Sequence, residues 1–452
     1  NPLTKHLIFL LYFCLLLLMY KIYILYQSIH RYLLFLEKNF RSALLHALTL
    51  HFPQIYTKIH LRLKHIYNYF YQENLMSEKG LTTINLKKIN RSKVYQYIYQ
   101  THQTSKMQIV QDLQMGLSTV SQNLNLLEKE GLIDRNGYFD STGGRKAQAI
   151  QITSDFRISI GIGILKNMFH ITAIDLYGNA FYTETIALPY SNTEDYYRQL
   201  TDKVREFIAE NHYPEEKILG ISIATQGITS PDNSTVIYGN IMNNTGMKLE
   251  DFSRHLPYPC HLEHDSKSAA FLELWNHPEL DSAVVFLLNR NLGGAIITNH
   301  QIHQGSSMHS GTLEHICVNP DGPLCYCGNR GCLETYCSAN ALEQSAGMPV
   351  KEFFPLLREK KSPRLAEHWE DYLNHLAFAM KNLNLIIDAP IIISGYLAPY
   401  FTEEDITYLL EHINTGAPFT LDKDQILVGT HGQYTPAIGA ALYYVEKFIQ
   451  SV

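Results

Sequence analysis

Thiol and imidazole side chains gather between positions 315 and 332. Cys325, Cys327 and Cys332 stand in the run Cys-Tyr-Cys-Gly-Asn-Arg-Gly-Cys, and His315 lies ten residues before the first of them. Three thiolates and one imidazole satisfy the four-ligand, tetrahedral requirement of structural Zn²⁺. The spacing therefore predicts a structural zinc site with these four residues as ligands, and Cys317 as a competing ligand in the same window.

The alternative interpretation of these cysteines is a disulfide or a chance cluster. A single residue separates Cys325 from Cys327, which disfavours an unstrained disulfide between them. Gly328 and Gly331 allow a short loop to bring the sulfurs together. The remaining cysteines have no disulfide-like rhythm, which is typical of a reducing cytoplasm; they are Cys14, Cys260, Cys317 and Cys337.

The charge of the chain is unevenly distributed. The 452 residues leave room for two or three domains and carry a net charge of −6. Residues 1–75 hold eight Lys and Arg against two Asp and Glu, and residues 76–150 hold ten against six. The remainder holds 19 basic and 35 acidic residues. A basic front joined to an acidic body indicates a polyanion-binding module attached to a domain with another task.

The first 75 residues are apolar and rich in aromatic side chains. The run from Leu7 to Tyr20 stops at Lys21 after fourteen residues, short of the roughly 20 that a membrane helix needs, and no secretory cleavage site follows. We interpret Met76 as the natural start and residues 1–75 as a leader or gene-model extension. A membrane anchor or an amphipathic helical extension is the alternative.

The segment after Met76 has the pattern of a helix-turn-helix. Helices are predicted over 90–103, 106–113 and 118–130, with a glycine-containing turn at 114–116 before the third. We expect Val94, Tyr97 and Ile98 to face inward from the first helix, and Ser118 to cap the third. The start of the third helix offers small hydroxyl and amide groups for base edges and phosphates, namely Ser118, Thr119, Ser121 and Gln122.

A two-stranded wing is predicted after the third helix. Gly131-Leu132-Ile133 is followed by a turn at Asn136-Gly137 and by a basic tip that contains Arg145 and Lys146. Such a tip suits a phosphate backbone or a minor groove. A small helical bundle with a surface hairpin is the alternative. We predict a winged helix-turn-helix DNA-binding domain over residues 76–150, because this chemistry agrees with the charge distribution.

Residues 154–452 alternate strands and helices. Strands are predicted over 157–164, 169–175, 180–186 and 218–224, and a helix over 193–211. A second series begins at 283–288 and 295–298 and ends with a long helix over 367–387 and an apolar strand at 390–395. Two α/β lobes in tandem explain this pattern better than one, and a pair of lobes usually leaves a ligand cleft.

The stretch from Gly305 to Ser338 closely resembles the signature of the ROK family, which comprises sugar-responsive repressors, uncharacterised open reading frames and sugar kinases. The resemblance covers about residues 80–450 and includes a Gly-Gly-Arg-Lys wing at 143–146. It implies an α/β, actin-like (ribonuclease H-like) two-lobed sugar-kinase fold preceded by the winged-helix domain. It also implies structural zinc at the four residues named above, with Cys317 outside the ligand set.

The resemblance separates kinase features that persist from features that are absent. Asp265 occupies the place of the catalytic carboxylate in the family's Glu-Asn-Asp-Ala-Asn segment. The family's Asp-x-Gly-Gly-Thr turn is Gly163-Ile164-Leu165-Lys166-Asn167 here, and its Gly-Thr-Gly-x-Gly turn is Asn289-Arg290-Asn291-Leu292-Gly293. Lost glycines leave backbone N–H groups less accessible to phosphates. We therefore expect no catalysis, with an ATP-dependent sugar kinase as the alternative.

The resemblance also implies a sugar pocket that is partly preserved. The family's Glu-x-Gly-His reads Thr312-Leu313-Glu314-His315, so Thr312 replaces the usual Glu, and Glu314 replaces Gly. Carboxylates and amides suit vicinal hydroxyls because they bond them in pairs. The expected sugar-binding residues are Asp265, Glu334, His315, Thr312, Asn243 and Asn244.

Together these features predict a cytoplasmic, sugar-responsive transcriptional regulator, and specifically a repressor of carbohydrate genes. Its expected partners are operator DNA, a small sugar effector and further copies of the chain in a homodimer or higher homo-oligomer. A membrane-tethered sensor is a further alternative that depends on residues 1–75.

Overall fold

Three helices come first in the described part of the chain. The computed structural model describes residues 83–135, 137–139, 147–360 and 362–452. The interpretations of residues 1–75, and of Arg145 and Lys146 in the wing, therefore lie outside the described residues. The helices are α1 (Thr83–Thr101), α2 (Lys106–Asp112) and α3 (Leu117–Lys129).

The caps of these helices differ from the expectation at one point. The Ser105 hydroxyl accepts a hydrogen bond from the Gln108 N–H and caps α2. Gly116 already has the extended conformation of an N-cap, so α3 begins at Leu117, one residue earlier than predicted. The prediction that Ser118 caps this helix was wrong, because Ser118 lies inside its first turn.

The three helices share a buried core with the strands that follow. Val94, Tyr95 and Ile98 are buried in this core, and Tyr97 packs against it while its hydroxyl donates to Asp112 at 2.5 Å. Strands β1 (Ile133–Asp134) and β2 (Gln151–Ile152) pair antiparallel. Asn136 of the predicted turn lies outside the described residues, whereas Gly137 has a φ of 94° and its carbonyl accepts from the Ala149 N–H.

The first lobe is built on a five-stranded sheet of order β5-β4-β3-β6-β9. Its strands are β3 (Ile158–Ile164), β4 (Met168–Ile174), β5 (Ala180–Ala187), β6 (Ile218–Thr225) and β9 (Cys260–His264). Helices α4 (Glu194–Glu210) and α5 (Leu249–Ser253) and the short hairpin β7 (Ile228–Thr229) and β8 (Val236–Tyr238) complete it. Every residue of β3 is buried, as expected of a central strand.

The second lobe repeats this sheet order as β12-β11-β10-β13-β14. Its strands are β10 (Ala283–Leu288), β11 (Leu292–Thr298), β12 (Gln301–Ile302), β13 (Ile391–Ser394) and β14 (Ile426–Val428). Its helices are α7 (Glu334–Cys337), α8 (Ala339–Ala346), α9 (Val350–Arg358), α10 (Pro363–Ile387) and α11 (Glu403–Asn414). In both sheets an antiparallel meander of three strands is extended by two parallel strands.

Two further helices run between these sheets and join the lobes. They are α6 (Asp265–Asn276), which follows β9 directly, and α12 (Thr435–Ser451) near the end of the chain. The two helices pack closely, since a Cβ on Gly439 of α12 would lie 1.8 Å from the Ser268 carbonyl oxygen of α6. Helix α12 also packs closely on β3, where a Cβ on Gly161 would lie 1.8 Å from the Ala437 carbonyl oxygen. Only glycine permits such backbone approaches. This packing fixes the N-terminus of α6 beside the ends of β3 and β6.

Residues 89–452 pack as one unit. The core of α1 to α3 is continuous with side chains of α12 and of α6, including Ile438, Leu442 and Leu272. Among the helices that the structure describes, none combines the length and the apolar character needed to cross a membrane.

Candidate functional site

The four predicted metal ligands lie together at the edge of the second lobe. The donor atoms of His315, Cys325, Cys327 and Cys332 all lie within 4.8 Å of one another. Cys325 Sγ is 3.8 Å from His315 Nδ1, and Cys327 Sγ is 3.7 Å from Cys332 Sγ. Ligands arranged tetrahedrally about 2.3 Å from a zinc ion are separated by about 3.8 Å, so this donor set fits the ion.

The loop that carries the sulfurs is held by its own backbone. Gly331 has a φ of 66°, and a Cβ there would lie 1.5 Å from the Asn319 carbonyl oxygen. Gly328 has a φ of 89°, and its N–H donates to the Cys325 carbonyl at 2.9 Å. Cys317 is exposed and its thiol donates to the Arg330 carbonyl, so it lies outside the cluster.

His315 connects this cluster with a group of buried carboxyls. Its Nδ1 faces the sulfurs, while its Nε2 lies 3.9 Å from Glu314 Oε1. Burial lowers the pKa of its imidazole, which favours the neutral form that binds metals. The ring can therefore bind a metal with one nitrogen and leave the other for a ligand or a carboxyl.

Asp265 is the first of these carboxyls. It is the first residue of α6, only 8% exposed, and its Oδ1 accepts from the Ser266 hydroxyl at 3.2 Å. Burial raises the pKa of Asp265 to about 7, although hydrogen bonds from Ser266 act in the opposite direction. Burial also lowers the pKa of the adjacent His264 to about 3, so this imidazole is neutral beside it.

Glu334 has partners on both oxygens. Its Oε1 accepts from Asn291 Nδ2 at 2.7 Å, and its Oε2 accepts from the Leu292 N–H at 2.6 Å. Burial raises the pKa of Glu334 to about 7. These bonds tie α7, immediately after the cysteine loop, to the turn between β10 and β11.

Glu314 is a third buried carboxyl, which sequence reasoning treated only as a departure from the family pattern. Its Oε2 has no hydrogen-bond partner among the described residues. Burial raises the pKa of Glu314 to about 8, and the charges of Asp265 and Glu334 contribute to the rise. The available sequence signal was a glutamate, in place of the family's glycine, next to the predicted metal ligand His315.

The remaining predicted pocket residues occupy different settings. Asn244 is fully buried, and its Nδ2 donates to Thr225 Oγ1 and to the Gln226 carbonyl, both at 3.0 Å. Its Oδ1 has no partner among the described residues. Asn243 is exposed and adopts a φ of 56°. The Thr312 hydroxyl donates to the His309 carbonyl at 3.2 Å.

The two turns that correspond to the family's phosphate-binding turns make other contacts in this chain. A small, largely apolar cavity near the first turn is lined by Leu165, His170 and Asp265, among others. Burial, aided by the charge of Arg290, lowers the pKa of His170 to about 4, so its imidazole is neutral. In the second turn, Arg290 Nη1 donates to Glu343 at 2.7 Å.

The predicted DNA-contacting residues of α3 lie in its first two turns. Ser118 and Gln122 are exposed, and Thr119 and Ser121 are partly exposed. Val120 and Leu124 face the core from the same helix, which fixes the opposite orientation of this polar surface.

An aromatic contact joins α1 to the far end of α6. The Tyr99 and Tyr177 rings stack with centroids 5.1 Å apart, and Trp275 meets Tyr99 edge-on at 6.1 Å. The Trp275 Nε1–H donates to the Tyr177 carbonyl at 3.2 Å. Helix α6 therefore has Asp265 at one end and this contact near the other, about 15 Å away.

Similar proteins include transcriptional regulators. The chain is 28% identical over 262 residues to the DNA-binding transcriptional dual regulator NagC of Escherichia coli (strain K12), which is 57% of this chain and 64% of NagC. It is 26% identical over 266 residues to the xylose repressor of Bacillus subtilis (strain 168), 58% of this chain and 68% of that repressor. The match to NagC spans less than two-thirds of the length of NagC.

Solved structures agree on the fold. A ROK family transcriptional regulator, homologous to the E. coli MLC protein, matches with a TM-score of 0.62 and 17% identity over 81% of this chain and 97% of its own. A ROK family glucokinase from Streptomyces griseus, in complex with glucose and AMPPNP, matches with a TM-score of 0.56 and 19% identity over 63% of this chain and 98% of its own. These likenesses confirm the predicted actin-like, two-lobed α/β fold. The ROK family model matches residues 157–447, more than half of the sequence, and the chain therefore belongs to the ROK family.

Proposed function

We propose that this protein is a cytoplasmic, sugar-responsive, DNA-binding transcriptional regulator, and specifically a repressor of carbohydrate genes. The observation that carries the proposal is the helix-turn-helix of α1 to α3, with its hydroxyl-bearing helix start, in one chain with a ROK domain. The similarity to NagC and to a xylose repressor supports it.

The proposed DNA contacts are made by Ser118, Thr119, Ser121 and Gln122 of α3 and by Arg145 and Lys146 of the wing. Short polar side chains at the start of a recognition helix suit base edges and phosphates. A homodimer or higher homo-oligomer would present two such helices to a two-fold operator, since half-site spacing mirrors protein symmetry.

The proposed cofactor is structural Zn²⁺ bound by His315, Cys325, Cys327 and Cys332. The donor set and its distances support this assignment. When bound, the ion would hold the cysteine loop between Thr312 and Glu334, and would thereby position the residues at the pocket edge.

The proposed sugar site takes in Asp265, Glu334, His315, Thr312 and the Asn243-Asn244 pair. Asn244 is the stronger member of the pair, because it is buried and its side-chain oxygen has no partner among the described residues. Convergent carboxyl, amide and imidazole groups suit the hydroxyls of a sugar.

Helix α6 is the proposed link between sugar and DNA. A sugar that contacts Asp265 at its N-terminus acts on the same rigid element that carries Trp275 against Tyr99 of α1. Closure of the lobes would move the recognition helices, provided that the sugar binds the closed state more tightly than the open one.

A sugar kinase is the second candidate, and the buried Asp265 favours it. A carboxyl with a pKa of about 7 suits a general base. Against catalysis, Leu165 and the neutral His170 line the cavity at the first turn, and the Leu292 N–H of the second turn is bonded to Glu334. These contacts leave few groups for the phosphates of ATP.

One experiment separates the two functions. Coupled ADP release with a hexose panel should show no turnover above background, while a duplex selected from random DNA should bind with a sugar-dependent affinity. Clear turnover that is lost in Asp265→Asn would overturn the assignment as a regulator without catalysis.

A further inference from the structure

Helix α3 presents a line of polar side chains to solvent along its whole length. The line recurs at the spacing of one helix face and consists of the exposed residues Ser118, Gln122, Asn125 and Lys129. On the opposite side of the helix, Leu124 and Leu127 are buried in the core. In a helix-turn-helix the first turns of the last helix enter the major groove, so the N-terminal half of this line would face the bases.

The side chains of α3 differ in whether they are available to a base. The Asn125 oxygen accepts from Arg135 Nη2 at 2.8 Å, and the buried Asn123 amide donates to the Thr119 carbonyl at 2.9 Å. The Gln122 amide is exposed and has no hydrogen-bond partner within the described part of the chain. Of the three amide side chains of α3, Gln122 is therefore the one that can bind a base.

Arginine, the side chain that most often pairs with guanine, is already engaged in this part of the molecule. Residues 83–135 contain two arginines, and both bind carboxylates at the C-terminal end of α3. Arg91 donates to both oxygens of Glu130, at 2.8 Å and 2.5 Å, and Arg135 Nη2 lies 3.1 Å from Glu128 Oε2. These pairs hold the two guanidinium groups away from the turns that would enter the groove.

A primary amide matches the major-groove edge of adenine. Its N–H donates to adenine N7, and its oxygen accepts from the N6 amino group, so both groups of the amide are bonded. Guanine presents two acceptors on the same edge, N7 and O6, and leaves the amide oxygen without a donor. A hydroxyl such as that of Ser118 both donates and accepts, so it fits several base edges and selects little among them.

We propose that Gln122 is the specificity-determining residue of α3 and that it reads one adenine in each operator half-site. This inference rests on the proposed function and assigns to it a base. The excess of Lys and Arg over Asp and Glu in residues 76–150, ten against six, supplies attraction to phosphates. Affinity would then depend on these basic groups, and sequence preference on Gln122.

Base substitution in a selected operator tests the inference. A duplex is selected from random DNA with the full chain, and each base pair of its half-site is then replaced in turn. Dissociation constants are measured at one fixed salt concentration by fluorescence anisotropy. The proteins are wild type, Gln122→Ala and Gln122→Lys, with Gln100→Ala on the exposed surface of α1 as the matched control. The adenine is also replaced by 7-deazaadenine, which lacks the N7 acceptor.

The expected result is localised to one position of the half-site. There, wild type and Gln100→Ala should prefer A·T over G·C at least about tenfold, and Gln122→Ala should lose this preference. Gln122→Ala should keep wild-type affinity for unselected DNA, because its contacts with phosphates remain. 7-Deazaadenine at that position should weaken binding by wild type but not by Gln122→Ala. Gln122→Lys should prefer guanine there, a new preference that a misfolded protein would not show.

Three results would overturn the inference and leave the proposed function intact. The first is a Gln122→Ala protein that retains the wild-type preference at every position. The second is an equal loss of affinity for selected and unselected DNA, which identifies Gln122 as a phosphate contact. The third is a relaxed preference at a G·C pair instead of an A·T pair. Selection that yields no preferred duplex contradicts the proposed function as well.

Discussion

Replacing Asp265 with asparagine should remove a pH dependence from the stability of the protein. The carboxyl lies at the start of α6, almost fully buried, and burial raises its pKa from 3.8 to about 7. Asparagine keeps the shape and hydrogen-bonding capacity of the side chain but does not titrate.

The direction of this pH dependence follows from the raised pKa of Asp265. The folded state holds the proton up to about pH 7, whereas the unfolded chain releases it near pH 3.8. The favourable contribution of the protonated form is complete below pH 3.8 and is lost as pH rises to 7. Each pH unit in that window costs about 1.4 kcal/mol, so between pH 5 and pH 8 wild type should lose about 3 kcal/mol relative to Asp265→Asn.

Guanidinium unfolding at several pH values, followed by the fluorescence of Trp275 and Trp369, measures this difference. Zinc release at lower pH affects both proteins, so their difference isolates Asp265, and Asp424→Asn serves as an exposed control. Free energies of unfolding that stay parallel between wild type and Asp265→Asn from pH 5 to pH 8 would refute the assigned burial and protonation.

Three further predictions concern the cysteine loop and helix α6. Cys332→Ser removes one of four metal ligands and should abolish the effect of sugar on DNA affinity and lower the melting temperature. Gly331→Ala should destabilise the loop by at least about 2 kcal/mol and reduce zinc content, because its Cβ would overlap the Asn319 carbonyl. Trp275→Ala should retain sugar binding by calorimetry but reduce the sugar-induced change in DNA affinity at least fivefold, because it removes the contact with Tyr99.

Two of these predictions, Gly331→Ala and Trp275→Ala, have a matched control. Gly347 has a φ of 73° with no atom near its Cβ position, so Gly347→Ala isolates the backbone cost and should leave zinc bound. Trp275→Phe keeps an aromatic ring and should restore most of the coupling. Unchanged sugar-dependent DNA release in a zinc-free Cys332→Ser protein, full zinc retention in Gly331→Ala, or unaltered coupling in Trp275→Ala would contradict the respective prediction.

The periodic and local features of this fold could be predicted from the sequence. Alternating apolar strands located both sheets, and the spacing from His315 to Cys332 located the donor cluster, because ligands from one short loop need little tertiary information. The start of α3 was misplaced by one residue, since Ser118 and Gly116 are both acceptable cap residues and only the backbone conformation distinguishes them.

Long-range contacts were beyond the sequence pattern. Glu334 was expected to face a sugar, but its bonds to Asn291 and Leu292 depend on how α7 meets a turn 42 residues earlier. Glu314 Oε2 likewise has no partner among the described residues, and the Asp265 charge that acts on Glu314 comes from the start of α6. Such arrangements follow from the packing of whole elements, which no local pattern encodes.

The assignment as a sugar-responsive repressor is tested most directly by the dissociation constant of a selected DNA duplex, measured by fluorescence anisotropy with and without each of a panel of unphosphorylated sugars. We expect one sugar to change this constant at least tenfold in the zinc-loaded protein, and we expect the effect to be lost in Cys332→Ser. A dissociation constant that no sugar alters, together with sugar-dependent ADP release by the same preparation, would contradict it.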